Sequence, residues 1–397
     1  MTEKRLPSTF TLLVLMALAS VGAVLFTPAL PMIKQQFQVS TTAVQWTVSI
    51  FVFGYAFGQL IYGPFANRFG RKPTLYVAII IAFVGSVMCG FSSHLDSFST
   101  LMVGRLIMAL GSSAGLALSF TIINDVYSTQ ESRGIIAYVS LAFAILPGLA
   151  IFIGGFIVKH FLWEACFYFL AAYYVFAFIL CFFLPETVGE KDEGALRLKA
   201  ILCRYWKTAR DSNLWVYTSM WGACTAIVYI FSATAPIIAI SYMHLSPEIF
   251  GTLNLTTSIG LLIGGLLAAQ INKRIHHRTV ILLGTVLMMI GVGLLFVFSK
   301  SGHESPFAFF SAMFVVYFSM SFIFSNAAAL APQHVSDKAS ASSMMSFINM
   351  MFAVVGLYLM GLLHANPERI MSEAFLLILF FQIVLLVISR LPSFSRE

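Results

Sequence analysis

Residues Val44 to Pro73 read VQWTVSIFVFGYAFGQLIYGPFANRFGRKP: a long, almost uncharged run that ends in three cations, Arg68, Arg71 and Lys72, within five positions. An apolar run of about 20 residues is long enough to cross a bilayer as a helix. A short cationic turn directly after it reads as the anchor that keeps that end on the cytoplasmic side. The rest of the chain repeats the pattern. Of its 397 residues, 59% are hydrophobic and only 10% charged, with a mean hydropathy of +0.90. A soluble domain of that length has no interior large enough for so much apolar surface, so lipid is the expected solvent.

Twelve spans follow from the apolar runs: 10–33, 43–66, 74–94, 98–124, 134–160, 163–184, 214–240, 247–271, 279–299, 305–330, 337–364 and 370–391. The runs lack the two-residue alternation of barrel strands. Helices are therefore the only way to satisfy their backbone in lipid. With both termini in the cytoplasm, the cytoplasmic segments hold 18 Lys and Arg and the outer loops hold 4. That bias predicts the orientation, and it accounts for the net charge of +7 without nucleic acid. The first run continues past Ala23 into LFTPALPMI, unlike a cleavable signal peptide. The five cysteines, at 89, 166, 181, 203 and 224, show neither disulfide nor metal-ligand spacing.

The longest polar stretch, Pro185 to Asn213, separates six spans from six. Its middle, Leu196 to Trp206, has the amphipathic character of a helix lying along the membrane surface. The two halves also resemble each other. TPALP at the end of span one corresponds to TAPII at the end of span seven, which maps Pro31 onto Pro236 at an offset of 205. NRFGRK corresponds to KRIHHR, which maps Arg68 onto Arg274 at an offset of 206. The expected organisation is a six-helix half over 1–184, a cytoplasmic linker over 185–213 and a second six-helix half over 214–397, with a pathway between the halves.

Val44–Pro73, together with TPALP (Thr27–Pro31), GRLIMALGSSAG (Gly104–Gly115), LPGLAIFIGG (Leu146–Gly155) and LPET (Leu184–Thr187), resembles the Bcr/CflA drug-exporter group of the major facilitator superfamily. The resemblance implies an all-α membrane protein of twelve helices that exports small amphipathic molecules, usually against entering protons. It also implies a gating motif at Gly63, Asn67, Arg68, Gly70, Arg71 and Lys72, with Glu131 and Arg133. A hinge or seal is implied at Pro28, Pro31, Pro147, Gly154 and Gly155; ordinary helix packing explains Pro147 and the paired glycines as well. A monomer in a bacterial inner membrane, with no cofactor beyond the proton as a possible coupling ion, completes that expectation.

Departures from the group's pattern matter. Asn67 stands where the loop motif has an acid, which predicts a weaker latch by about 0.3–1 kcal/mol at a helix N-terminus. Val24 replaces an acid in span one, and Asn124 replaces an Arg in span four. Met108 replaces a Gln, and Ile151 replaces a second proline in span five. Spans seven to twelve contain no Asp, Glu, Lys or Arg at mid-depth, and all eight histidines lie near span ends or in loops. Asp125 and Glu164 also lie near span ends, which leaves Arg105 as the one clearly embedded charge. It either serves proton coupling or an anionic substrate, or it snorkels or bonds the backbone broken near Pro28 and Pro31.

The substrate surface is sought among polar residues at helical spacing. Tyr55 and Gln59 are one turn apart in span two, and Asn254 and Ser258 in span eight. Ser319 and Asn326 share a face of span ten, as do Ser342, Ser346 and Asn349 in span eleven. Met344, Met345, Met350, Met351 and Phe347 give span eleven a soft surface. Each of these residues alone is equally a helix–helix contact; together they describe a neutral, amphipathic pocket. Asn254 begins a sequon-like NLT that lies inside a span. An enzyme or an ATP-driven pump is disfavoured, because no nucleophile–base pair, HExxH cluster or nucleotide loop is present. A facilitator or a dedicated metabolite or siderophore transporter remains as the alternative to drug export.

Overall fold

The computed structural model describes residues 6–127, 129–189, 191–197, 199, 205–301, 305–335, 338–362 and 367–390; at 129–144, 301 and 338–340 only the backbone is described. Eleven helices in it are long and apolar enough to cross a membrane. They are Thr9–Gln36, Thr41–Phe69, Arg71–Phe91, Phe98–Val126, Ala165–Phe182, Ser212–Tyr242, Pro247–Ile271, His277–Lys300, Pro306–Leu330, Ala341–Leu362 and Pro367–Ile388. Thr129–His160 supplies the fifth of the twelve spans, with Ile145–His160 as its described apolar part. The architecture is the expected all-α bundle of two six-span sets.

Short polar residues start many of these helices. Ser40 accepts from the Ala43 amide at 3.1 Å, Ser97 from Thr100 at 3.2 Å, and Asp211 from Leu214 at 2.7 Å. Ser246 and Ser305 cap their helices just ahead of Pro247 and Pro306, at 3.3 and 3.4 Å. In lipid-facing helices such caps satisfy amides that have no intrahelical partner. Proline at the first helical position costs nothing, because its missing N–H would be unpaired there anyway.

Three spans are less regular than their hydropathy predicts. Span one is not one helix: it runs Thr9–Val24, a 3-10 turn over Thr27–Ala29, then Leu30–Gln36. Pro28 removes an amide and breaks the ladder, and the Thr27 hydroxyl takes the freed Val24 carbonyl at 2.8 Å. Span four is interrupted at Ser113, where Ser112 and Ser113 bond back to Met108 and Leu110 at 2.8 and 2.7 Å and compete with the helical ladder. Span seven ends in a π-turn over Ile237–Tyr242 directly after Pro236.

The two six-span sets meet along two helix pairs, span five with span eight and span two with span eleven. The linker marks one end of the bundle, here the linker end. At the opposite, far end the sets are closed against each other. Lys159 forms an ion pair with Glu248. Trp46 meets Tyr358 edge-on at 5.8 Å, and the Gln45 amide reaches the Thr234 hydroxyl at 3.4 Å. Gly155 permits this closure, because a Cβ there would collide with the Pro247 carbonyl. Gly154 plays the same part inside the first set, against the Leu25 carbonyl at the break in span one.

Candidate functional site

Between the two sets lies an open cavity. Its lining residues lie around the middle of their spans. Span one contributes Ser20 and Val24, span two Tyr55 and Gln59, and span five Pro147, Gly148 and Ile151. The second set contributes Asn254 and Ser258 from span eight, and Ser346, Asn349 and Met350 from span eleven. Among the described residues no Asp, Glu, Lys, Arg or His lines it.

The walls hold the Asn254 amide oxygen without a hydrogen bond, and the Tyr55 hydroxyl and Gln59 amide nitrogen, whose one partner is each other. All three residues are at most 3% exposed. Asn349 is different. Its amide oxygen accepts from the Thr225 hydroxyl at 2.7 Å, which fixes the side chain across spans seven and eleven.

Two expected contacts lie elsewhere. Arg105 is completely buried and does not line the cavity. Its Nε donates to the Thr47 carbonyl at 3.0 Å, and its terminal nitrogens donate to Gly22 at 2.7 Å and Ala23 at 3.2 Å. The guanidinium also lies over the Phe26 and Phe51 rings, 4.1 and 4.3 Å from their centroids. Gly22 and Ala23 end the first helical segment of span one, where the following break leaves carbonyls without amides. Arg105 thus caps the negative end of that helix from the side and ties spans one, two and four together. Asn326 is likewise consumed: it pairs with His277 Nδ1 and donates to the Phe322 carbonyl at 2.8 Å.

The motif loop is built around two carboxylates. Arg71 Nε meets Asp125 at 3.0 Å, and its terminal nitrogen meets the Ala66 carbonyl at 3.0 Å. Glu186, from the LPET stretch, accepts the Arg71 and Lys72 amides at 2.9 and 3.1 Å and so caps span three. Gly70 turns the chain there at φ 110° and leaves room for that carboxylate. Lys72 donates to the Phe182 carbonyl at 2.9 Å, and Arg68 faces Glu193 at 3.7 Å. Asn67 is exposed; its carbonyl accepts from the Asp192 amide at 3.1 Å. Gly63 has open space around its Cα. The side chains of Glu131 and Arg133, and of residues 336–340 at the start of span eleven, lie outside the described residues. So do residues 198 and 200–204 of the surface helix expected over 196–206.

The positions that depart from the exporter pattern are far apart. Val24 is in the cavity wall. Asn124 is exposed two residues from the linker-end terminus of span four; Arg105, which bonds the carbonyls beside Val24, lies 19 residues earlier in that span, about 28 Å along the axis at 1.5 Å per residue. The two are not partners across a site. Glu164 is buried at the far end with one carboxylate oxygen unpaired, away from the cavity lining. Pro31 lies in the first turn of Leu30–Gln36.

The cavity also takes residues that the polar-spacing argument passes over, chiefly Trp221, Cys224, Thr225, Val228, Tyr229 and Ser232 of span seven. Their spacing of three or four residues is one helix face. The internal repeat is a signal for two of them: an offset of 205 carries Ser20 onto Thr225 and Val24 onto Tyr229, and all four line the cavity. Tyr317 of span ten carried no such signal.

The chain matches the family described as Major Facilitator Superfamily over residues 12–360. It is 30% identical over 292 residues to a protein of Rickettsia bellii described as an uncharacterized transporter, covering 72% of this chain and 70% of that one. It is 32% identical over 201 residues to a bicyclomycin resistance protein homolog of Haemophilus influenzae, which spans half of each chain. Its fold is similar to that of the xylose transporter XylE from E. coli in a partially occluded inward open conformation: the TM-score is 0.77 at 13% identity, covering 98% of this chain and 99% of the other. Two six-span sets around a shared cavity, together with a family match over most of the length, make this chain a multi-pass membrane transporter of the major facilitator superfamily.

Proposed function

We propose that this transporter exports amphipathic, drug-like small molecules by alternating access. The linker end and both termini would face the cytoplasm of a bacterial inner membrane. The halves 1–184 and 214–397 rock about the linker, and one chain is sufficient for transport. The observation that carries this reading is the cavity itself: both halves line it, its walls are mostly apolar, and the named far-end contacts hold the halves together on the other side. The name of the Haemophilus relative supports a role in drug resistance.

Coupling is the point on which a second reading has its own support. Proton antiport needs a group that titrates and is reached from both sides in turn. Among the described residues, the cavity offers no carboxylate and no histidine, and Val24 occupies the position where exporters of this group often carry an acid. That favours movement down the substrate's own gradient. Proteoliposomes decide between the two. A pH gradient that drives accumulation of a neutral antibiotic establishes antiport. Equilibration that ignores pH and membrane potential establishes a facilitator, and absence of any movement overturns drug transport altogether.

A further inference from the structure

The cavity walls specify a chemical class of occupant more narrowly than "amphipathic". Tyr55 and Gln59 lie one turn apart on span two, in the first half, and Asn254 lines the same cavity from span eight in the second. All three are nearly inaccessible: Asn254 keeps its amide oxygen unpaired, while the Tyr55 hydroxyl and the Gln59 amide nitrogen have only each other. Native interiors pair almost all buried polar groups, so an unpaired amide oxygen and a tyrosine–glutamine pair with spare hydrogen-bonding capacity, in the wall of one cavity, point to a partner that arrives from outside. They come from both halves, so one molecule can engage both at once. Around them the surface is aromatic and soft, through Trp221, Tyr229, Tyr317 and Met350. No negative side chain among the described lining residues awaits a cation. The nearest embedded charge is positive: Arg105 holds the carbonyls of Gly22 and Ala23, in the same turn as the lining residues Ser20 and Val24, with no carboxylate bonded to it. In a low-dielectric wall, that field opposes a second cation.

From this geometry we infer that the occupant is an uncharged molecule with an apolar body and hydrogen-bonding groups at two separate places, one for Tyr55 and Gln59 and one for Asn254, and that permanent cations are excluded. The inference rests on the cavity being the transport site.

The test is equilibrium binding to the purified full chain, with two radiolabelled probes. Chloramphenicol is uncharged and aromatic and carries an amide and hydroxyls. Tetraphenylphosphonium is apolar and permanently cationic. The wild type is expected to bind chloramphenicol saturably and to ignore the cation. Asn254→Leu and Gln59→Leu should each weaken chloramphenicol about tenfold, while the thermal stability of Asn254→Leu stays level or rises, because an unpaired polar atom has left the wall. A purely packing role would lower stability instead. Should either variant fail to fold, Asn254→Thr and Gln59→Thr carry the same comparison. Val24→Glu should confer binding of the cation. Wild-type affinity for tetraphenylphosphonium equal to that for chloramphenicol overturns the inference, as do leucine variants that bind like the wild type. Binding without movement in proteoliposomes overturns the export reading and leaves the inference standing; binding of neither probe overturns both.

Discussion

Arg105 and the two amides of Gln59 and Asn254 are buried in the same bundle and have met opposite fates. The arginine, the one formal charge deep in the spans, has its donors committed to three carbonyls and its flat faces to two rings. The two amides, neutral and unremarkable in composition, keep hydrogen-bonding capacity beside an open cavity: Asn254 an unpaired oxygen, Gln59 a nitrogen that meets only the Tyr55 hydroxyl. Burying an unpaired charge is far more costly than burying an unpaired amide. The fold therefore spends its local carbonyls on the charge and leaves the amides for a ligand. Within a membrane, the most conspicuous residue is not for that reason the one a substrate touches.

The largest expected effect tests the arginine side of this contrast. Arg105→Met leaves the Gly22, Ala23 and Thr47 carbonyls without donors, at about 1–3 kcal/mol for each buried group left unsatisfied. Thermal unfolding in detergent should show the deepest loss of any variant named here. A variant of unchanged stability that no longer binds chloramphenicol would place Arg105 on the pathway and dissolve the contrast.

Next comes the far-end closure. Gly155→Val forces its side chain into the Pro247 carbonyl, an overpacking cost of about 1–3 kcal/mol borne only while that end is shut. Pulsed spin-label distances between the far ends of spans five and eight should lengthen. Unchanged distances would mean that the seal lies elsewhere.

A smaller effect sharpens the amide side. Thr225→Val frees the Asn349 amide from its clamp, with a loss of about 0.5–1.5 kcal/mol for one hydrogen bond. Chloramphenicol binding should fall by a few fold, short of the loss in Asn254→Leu. An equal loss would make Asn349 a principal contact. The smallest effect belongs to Glu248→Gln. Its ion pair with Lys159 is partly exposed, and such pairs contribute about 0.2–1 kcal/mol. The far-end distance distribution should broaden only slightly, and a full opening would promote this pair to the main lock.

Much of the architecture was legible because lipid makes composition decisive: an apolar run of span length has one outcome. Tyr55, Gln59, Asn254, Ser258, Ser346 and Asn349 line the cavity because a polar side chain on an otherwise apolar helix must turn away from lipid. Asn326 obeys the same rule and turns inward, but toward His277, a partner 49 residues away that helical spacing does not reveal. Ser342, on the same predicted face as Ser346, is exposed. Trp221 and Tyr317 were invisible for the opposite reason: an aromatic residue in a chain with 15% aromatics carries no positional information of its own. The breaks in spans one and seven follow from their prolines, whereas Glu186 as the cap of span three depends on a contact 115 residues long.

That cap has a consequence for how the chain is made. The Arg71 and Lys72 amides open span three, and their acceptor arrives only with Glu186, at the close of span six; Asp125, which holds the Arg71 side chain, arrives on the way. During synthesis the turn between spans two and three therefore stays unfinished until the first half has been threaded. It is completed by the stretch of polypeptide that leaves the ribosome immediately afterwards. Everything needed to finish that half is in place before span seven exists, so the second half is built alongside an already assembled neighbour.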